Sequence, residues 1–133
     1  MREDNQQCRP GALVVEDDEQ IGQLLKFIIE RQGFEVTLMH DGRAAQQLIA
    51  SAAAAPAIAI LDIMLPYIDG FQLVAMIRAK PEWKNVPIVM LTAKSQEGDI
   101  VRALDAGAND YVVKPFKPEE LKARMKRLLR QDQ

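Results

Sequence analysis

One stretch constrains the fold more than any other: Ala57-Ile58-Ala59-Ile60-Leu61-Asp62-Ile63-Met64-Leu65-Pro66. Its first five residues are apolar without alternation. That is the pattern of a strand buried on both faces, as in a parallel sheet covered by helices. Asp62 stands where such a strand ends, and open α/β sheets carry their sites at that carboxyl edge. An aspartate there can equally cap the next loop, so its meaning depends on the rest of the chain.

The same alternation runs through the whole sequence. Ala12 to Val15 is a short apolar strand ending in Glu16-Asp17-Asp18. Ile21, Leu24, Leu25 and Ile28 recur at helical spacing over 19–32, and Gly33 follows as a helix stop. Phe34 to Met39 alternates apolar and polar residues, as a strand nearer the sheet edge does. Asp41 is placed to cap a helix over 42–54 with Ala45, Leu48, Ile49 and Ala52 inward. After the central strand, Asp69-Gly70 opens a helix through Ala79, and Pro81 breaks it. Val86 to Leu91 is another apolar strand, leading into Thr92-Ala93-Lys94. A helix over 95–106 stops at Gly107, a strand over 110–113 leads into Lys114-Pro115, and Pro118 suits the first turn of a last helix. Five strands alternating with five helices, joined by right-handed crossovers, predict a doubly wound parallel sheet.

Composition removes several function classes. The 133 residues are 48% apolar and carry a formal net charge of −2, so they are expected to form one packed domain with no overall call for nucleic acid or a membrane. No apolar run approaches the roughly 20 residues that span a bilayer. The polar start, Met1 to Gly11, lacks the apolar middle of a signal peptide, which predicts a cytoplasmic protein. Residues 1–10 are expected to be a disordered tail before a domain over 11–133. Cys8 is the single cysteine, so an internal disulfide and Cys-based zinc chemistry are excluded.

In a parallel sheet all strand ends share one edge. The pair Glu16 and Asp17, then Asp62, Thr92 and Lys114, follow or end four separate strands, so they are predicted to converge. Three carboxylates packed together repel and take up protons unless a cation joins them. All-oxygen donors favour Mg²⁺ or Mn²⁺. A phosphoryl group held there could be transferred to Asp62 as nucleophile, with Thr92 donating a hydrogen bond and Lys114 supplying charge.

The stretches VVEDDE, ILDIMLPYIDG, MLTAK and DYVVKPF, in this order, resemble the receiver domain of bacterial two-component response regulators. The likeness runs from about Ala12 to Gln131. It implies a flavodoxin-like sheet of order 2-1-3-4-5 flanked by five helices. It implies that Asp62 accepts a phosphoryl group from the phosphohistidine of a sensor histidine kinase or phosphotransfer protein. Asp17 matches the acid that binds Mg²⁺ directly, Glu16 the one acting through water, and the Met64 backbone carbonyl the third protein ligand. Thr92 and Lys114 match the phosphate-sensing pair, and Tyr111 the aromatic that turns on activation; a tyrosine that only packs is its alternative. The resemblance also implies a cis peptide at Lys114–Pro115. Met64 and Lys94 occupy positions the family uses to set dephosphorylation, and neither offers a carboxylate or amide to orient water, so a long-lived phosphoryl group is expected.

Three readings compete on these residues. A phosphoacceptor signalling domain leads. An aspartate-nucleophile phosphatase of the haloacid-dehalogenase type needs a second acid two residues after the nucleophile, where Met64 stands. A receiver that never takes phosphate would not need the full acid set with Thr92 and Lys114. The chain ends after its last helix, which predicts either a stand-alone regulator or the receiver of a longer DNA-binding transcription factor. Transcription-factor receivers of this type dimerise through the fourth helix, last strand and last helix. By motif alignment Asp110–Arg124 and Asp105–Lys126 match two of the ion pairs there, while Glu120 faces Ile100 where a basic partner is usual. The basic residues of the last helix alternate with its apolar stripe and lack aromatic partners, so direct nucleic-acid binding is not expected. Asp18 is read as a helix cap, His40 as a surface residue and Trp83 as a packing residue.

Overall fold

The computed structural model describes residues 9–51, 54–93 and 97–130. The elements are β1 (Gly11–Val15), α1 (Glu19–Glu30), β2 (Glu35–Met39), α2 (Gly42–Ser51), β3 (Ile58–Asp62), α3 (Gly70–Ala79), β4 (Ile88–Ala93), α4 (Glu97–Ala106), β5 (Asp110–Lys114) and α5 (Pro118–Arg130). All strand pairs are parallel, and the sheet order is β2-β1-β3-β4-β5. This is the predicted flavodoxin-like topology. Because β3 is central, every one of its five residues is buried, whereas edge strand β2 has no fully buried residue.

The pleat sends alternate strand residues to two cores. Leu13, Val15, Ala59, Leu61, Ile88 and Met90 meet α2, α3 and Ala103 of α4 on one face. Ala12, Val14, Ile58, Ile60, Val89 and Leu91 meet α1 and α5 on the other. A strand that must be apolar on both faces cannot alternate, which explains the unbroken run at 58–61.

Local signals account for most boundaries. Asp18 caps α1 by accepting from the Ile21 N–H at 3.0 Å, and Asp41 accepts from the Ala44 N–H at 2.8 Å. Asp69 and Gln72 form a reciprocal capping box on α3. Gly33 and Gly107 take φ of 98° and 119°, conformations that cost an L side chain. The predicted inward stripe of α1 is only partly right: Leu24 is 46% exposed, and Ile29 is buried in addition to Leu25 and Ile28. α2 ends at Ser51, and Ala52, predicted inward, lies outside the described residues.

Trp83 packs, as its sequence reading expects. It sits in a polar turn, yet is 1% exposed and belongs to the α2–α3 core. It borders a cavity of about 470 Å³ with Gly11, Ala12, Pro56 and Ala57, at the sheet edge opposite the strand ends that carry the acids.

Candidate functional site

The carboxyl edge of the sheet gathers the predicted residues. Glu16 follows β1 and is fully buried; its backbone N–H extends the ladder by donating to the Met39 carbonyl at 3.0 Å. Asp62 ends β3 and is 2% exposed. Asp17, the next residue after Glu16, is exposed. Carboxylate oxygens of Glu16, Asp17 and Asp62 lie within 4.8 Å of one another. The Lys114 ammonium, from the end of β5, reaches Asp62 Oδ2 at 3.1 Å and Glu16 Oε1 at 3.2 Å. Lys114 thus bridges two strands across β4.

Remaining donors hold the acids in place. The Asp18 N–H donates to Glu16 Oε2 at 3.1 Å, and the Met64 N–H donates to Asp62 Oδ1 at 3.2 Å. Burial pushes the Glu16 carboxyl up to about 7, and the neighbouring Asp62 charge adds to this against the pull of the Asp18 N–H and Lys114. Burial works against the Lys114 charge, but Asp62 and Glu16 outweigh it and hold its pKa above the usual lysine value. The site therefore has one cation for three acids. Hard oxygen donors at this spacing fit a divalent cation such as Mg²⁺.

Thr92 lies in the same edge, one register step beyond the Leu91 that pairs with Asp62. It is 1% exposed, and its hydroxyl donates to the Ala93 carbonyl at 3.4 Å, a weak bond that leaves it able to turn to a better acceptor. Lys114–Pro115 is cis. Tyr111, half-buried on β5, has the Arg124 guanidinium 5.5 Å from its ring centroid. Lys94 lies outside the described residues.

On the α4–β5–α5 surface Glu120 is paired within its own helix, where Arg124 Nη2 reaches its Oε2 at 3.1 Å one helical turn away. Arg124 Nη1 also reaches Asp110 Oδ1 at 2.8 Å, and Arg127 Nη2 reaches Asp110 Oδ2 at 2.9 Å. Ile100 is half-buried, Asp105 and Lys126 are exposed, and Val101 and Leu104 are 56% and 44% exposed. An apolar strip on α4 thus lies beside a charged network on α5.

Three site features had no signal in the sequence. His40, read as a surface residue, is exposed but has its Nδ1 3.1 Å from the Glu16 carbonyl oxygen. Tyr67, in the β3–α3 loop, has φ of 71°. The Arg43 guanidinium stacks on its ring at 3.9 Å. A left-handed non-glycine residue costs about 1–2 kcal/mol, and an exposed cation–π contact returns roughly 0.5–1. Close glycine packing on both sides supplies further restraint. A Cβ on Gly42 would lie 1.8 Å from the Ile68 oxygen, and one on Gly70 would lie 2.5 Å from the Asp62 oxygen.

The family model of the response regulator receiver domain matches residues 12–126. The chain belongs to that family. Among curated relatives it is 45% identical over 121 residues to the phosphate regulon transcriptional regulatory protein PhoB of Rhizobium meliloti, covering 91% of this chain and 52% of that protein. It is 41% identical over 125 residues to the DNA-binding response regulator MtrA of Mycolicibacterium smegmatis, covering 94% and 53%. The receiver thus spans about half the length of the curated relatives it matches. Among solved structures it superposes with a TM-score of 0.81 and 33% identity on the receiver domain of sensor histidine kinase PA1611 from Pseudomonas aeruginosa, covering 92% and 98%. That receiver holds a magnesium ion in its active-site cleft.

Proposed function

We propose that Asp62 is the phosphoacceptor and that the receiver switches a partner- or dimer-binding surface when it is loaded. The observation that carries this reading is a nearly buried Asp62 with an ammonium at 3.1 Å and two further carboxylates within 4.8 Å. One oxygen of Asp62 attacks the phosphorus of a kinase or phosphotransfer phosphohistidine. The P–O bond forms, the P–N bond breaks, and the imidazole leaves with the electron pair. Asp17 and Asp62, with the Met64 carbonyl, would hold Mg²⁺, and Glu16 would act through water. When bound, Mg²⁺ supplies charge neutralisation at the phosphoryl oxygens. A cleft of about 510 Å³ lined by Asp17, Met64, Phe71 and Arg102 opens beside these residues and gives a donor room to approach.

Loading would redirect two side chains. Lys114 moves from its carboxylates to a phosphoryl oxygen, and the Thr92 hydroxyl leaves the Ala93 carbonyl for another. That new bond is the differential contact that biases the equilibrium, because a ligand without one shifts nothing. Tyr111 then turns inward, altering the surface of α4, β5 and α5.

Met64 offers no acid to protonate a leaving group, which supports self-phosphorylation rather than turnover of a separate substrate. No helix among the described residues is long and apolar enough to cross a membrane, which accords with a cytoplasmic site of action. The names of the relatives support an output in transcription for the protein that carries this receiver, with a histidine kinase as its upstream partner. The domain's own net charge of −2 favours protein rather than nucleic-acid contact. Phosphate-affinity electrophoresis with acetyl phosphate and Mg²⁺ tests the core of this reading. A retarded band is expected for the wild type and not for Asp62→Ala; equal retardation of both would overturn it.

A further inference from the structure

Four observations meet in the loop between β3 and α3. Tyr67 is the one non-glycine residue with left-handed backbone among the described residues, at φ 71°. It is 69% exposed, so no core packing forces that conformation. Arg43 from α2 lies over its ring at 3.9 Å. Gly42 beside it places the first turn of α2 directly on the Ile68 backbone, where any Cβ would clash at 1.8 Å.

Arg43 is also in an unfavourable place for a cation. It occupies the first turn of α2, where the helix dipole opposes positive charge. Support of its own helix therefore does not explain it. What it touches is the ring of Tyr67, three residues after Met64. The segment between them is tied down sparingly: the Met64 N–H donates to Asp62 Oδ1 at 3.2 Å, and the Ile68 N–H donates to the Pro66 carbonyl at 2.8 Å. A left-handed residue in so short a segment fixes the direction of the backbone before it. Releasing Tyr67 to an extended conformation would swing that backbone, and the Met64 carbonyl with it.

We infer that Arg43 is a positioning residue for the cation site, acting through the ring of Tyr67 to hold the left-handed turn of the loop that carries Met64, whose carbonyl would join Asp17 and Asp62 as a ligand. This rests on the proposed Mg²⁺ site. Arg43 works at a distance and touches no acid of the site in this arrangement. Its effect has a sign that simple electrostatics cannot mimic. Removing a cation from the neighbourhood of three carboxylates should tighten metal binding by charge alone, whereas loss of a positioned ligand loosens it.

Mn²⁺ binding to the full chain, followed by the paramagnetic resonance signal of the free ion, is the test, with circular dichroism confirming that each variant is folded. Arg43→Ala is expected to weaken Mn²⁺ binding on the order of tenfold, the lower end of the effect for groups that orient a metal ligand. Tyr67→Phe keeps the ring and should bind as the wild type does. In a Tyr67→Gly background the left-handed turn needs no help, so adding Arg43→Ala should change nothing further. Unchanged or tighter binding in Arg43→Ala would overturn the inference. So would an equal loss on the Tyr67→Gly background, which would mean that Arg43 acts by another route. Should Arg43→Ala fail to fold, Arg43→Lys, which keeps charge but loses the planar stack, is expected to bind more weakly than wild type, and wild-type binding there would overturn it. If the wild type binds no better than Asp17→Asn, the metal reading itself falls, and this inference with it.

Discussion

Gly70 does two jobs that only a hydrogen in place of Cβ permits. It opens α3, and it lets the end of β3 pass within contact distance. A methyl group there would lie 2.5 Å from the Asp62 carbonyl oxygen and 2.9 Å from Ile63 Cα, both backbone atoms that cannot turn aside. Gly70→Ala is therefore expected to cost about 1–3 kcal/mol, the range for forced overpacking, measured by urea denaturation. It should also slow phosphorylation by shifting Asp62. Thr92→Ala should behave oppositely: it should accept phosphate, because the hydroxyl attacks nothing, yet respond weakly. Chemical-shift changes at Tyr111 that match those of the wild type would refute that role. At this scale the sequence was informative where topology does the gathering. The pair Glu16 and Asp17, Asp62, Thr92 and Lys114 are far apart in the chain, but each is tied to a strand end, and parallel strands share one edge. Arg43 and Tyr67 are tied to no such rule. Their contact depends on how a helix start sits on a loop, and glycine, the usual marker of left-handed backbone, stands at 42 and 70 for close packing instead.

The network between β5 and α5 gives the acid limb of stability. Burial pushes the Asp110 carboxyl up, but hydrogen bonds from Arg127, the Tyr111 N–H and Arg124 outweigh it and hold its pKa below the usual 3.8. A carboxyl depressed in the folded state contributes stability that is present above its unfolded pKa and is lost as pH falls through its folded one. The melting temperature should thus drop below about pH 4, and more shallowly in Asp110→Asn, which lacks the titrating group. Parallel wild-type and variant curves would remove Asp110 from the account. Element types were legible throughout, because each segment had a helical, an alternating or an unbroken strand pattern. Element ends were less so. The strand predicted from Val86 begins at Ile88: Val86 gives its N–H to the Trp83 carbonyl in a turn and Pro87 has none to give. On α5 the charges gave no hint of whether they pair within the chain or across a dimer, since i,i+4 spacing and a surface patch look alike in one dimension.

For the molecule as a whole, cation binding and assembly are the measurable consequences. Three acids cluster while one ammonium reaches only two of them, so millimolar Mg²⁺ should raise the melting temperature at neutral pH, by the mass-action gain of a ligand that binds only the folded state. Asp17→Ala should lose most of that gain; an equal rise in both would place the ion elsewhere. With beryllofluoride, a phosphoryl mimic, sedimentation should show a weak symmetric dimer built on the exposed α4 strip, and Arg124→Glu should reduce it. Arg124 is already held by Asp110 and Glu120 within one chain. Exposed pairs are worth roughly 0–1 kcal/mol, so exchanging them across an interface costs little and gains little, which favours a monomer at rest. Trp83 adds a practical corollary. It is the chain's single tryptophan, it is 1% exposed with the Lys80 ammonium 5.9 Å from its ring centroid, and its indole N–H has no hydrogen-bond partner among the described residues. Its emission should therefore be blue, and it reports from the end of the sheet remote from Asp62. A change of colour on mixing with a kinase or an ion would signal melting of the whole domain, while genuine switching should leave that light untouched.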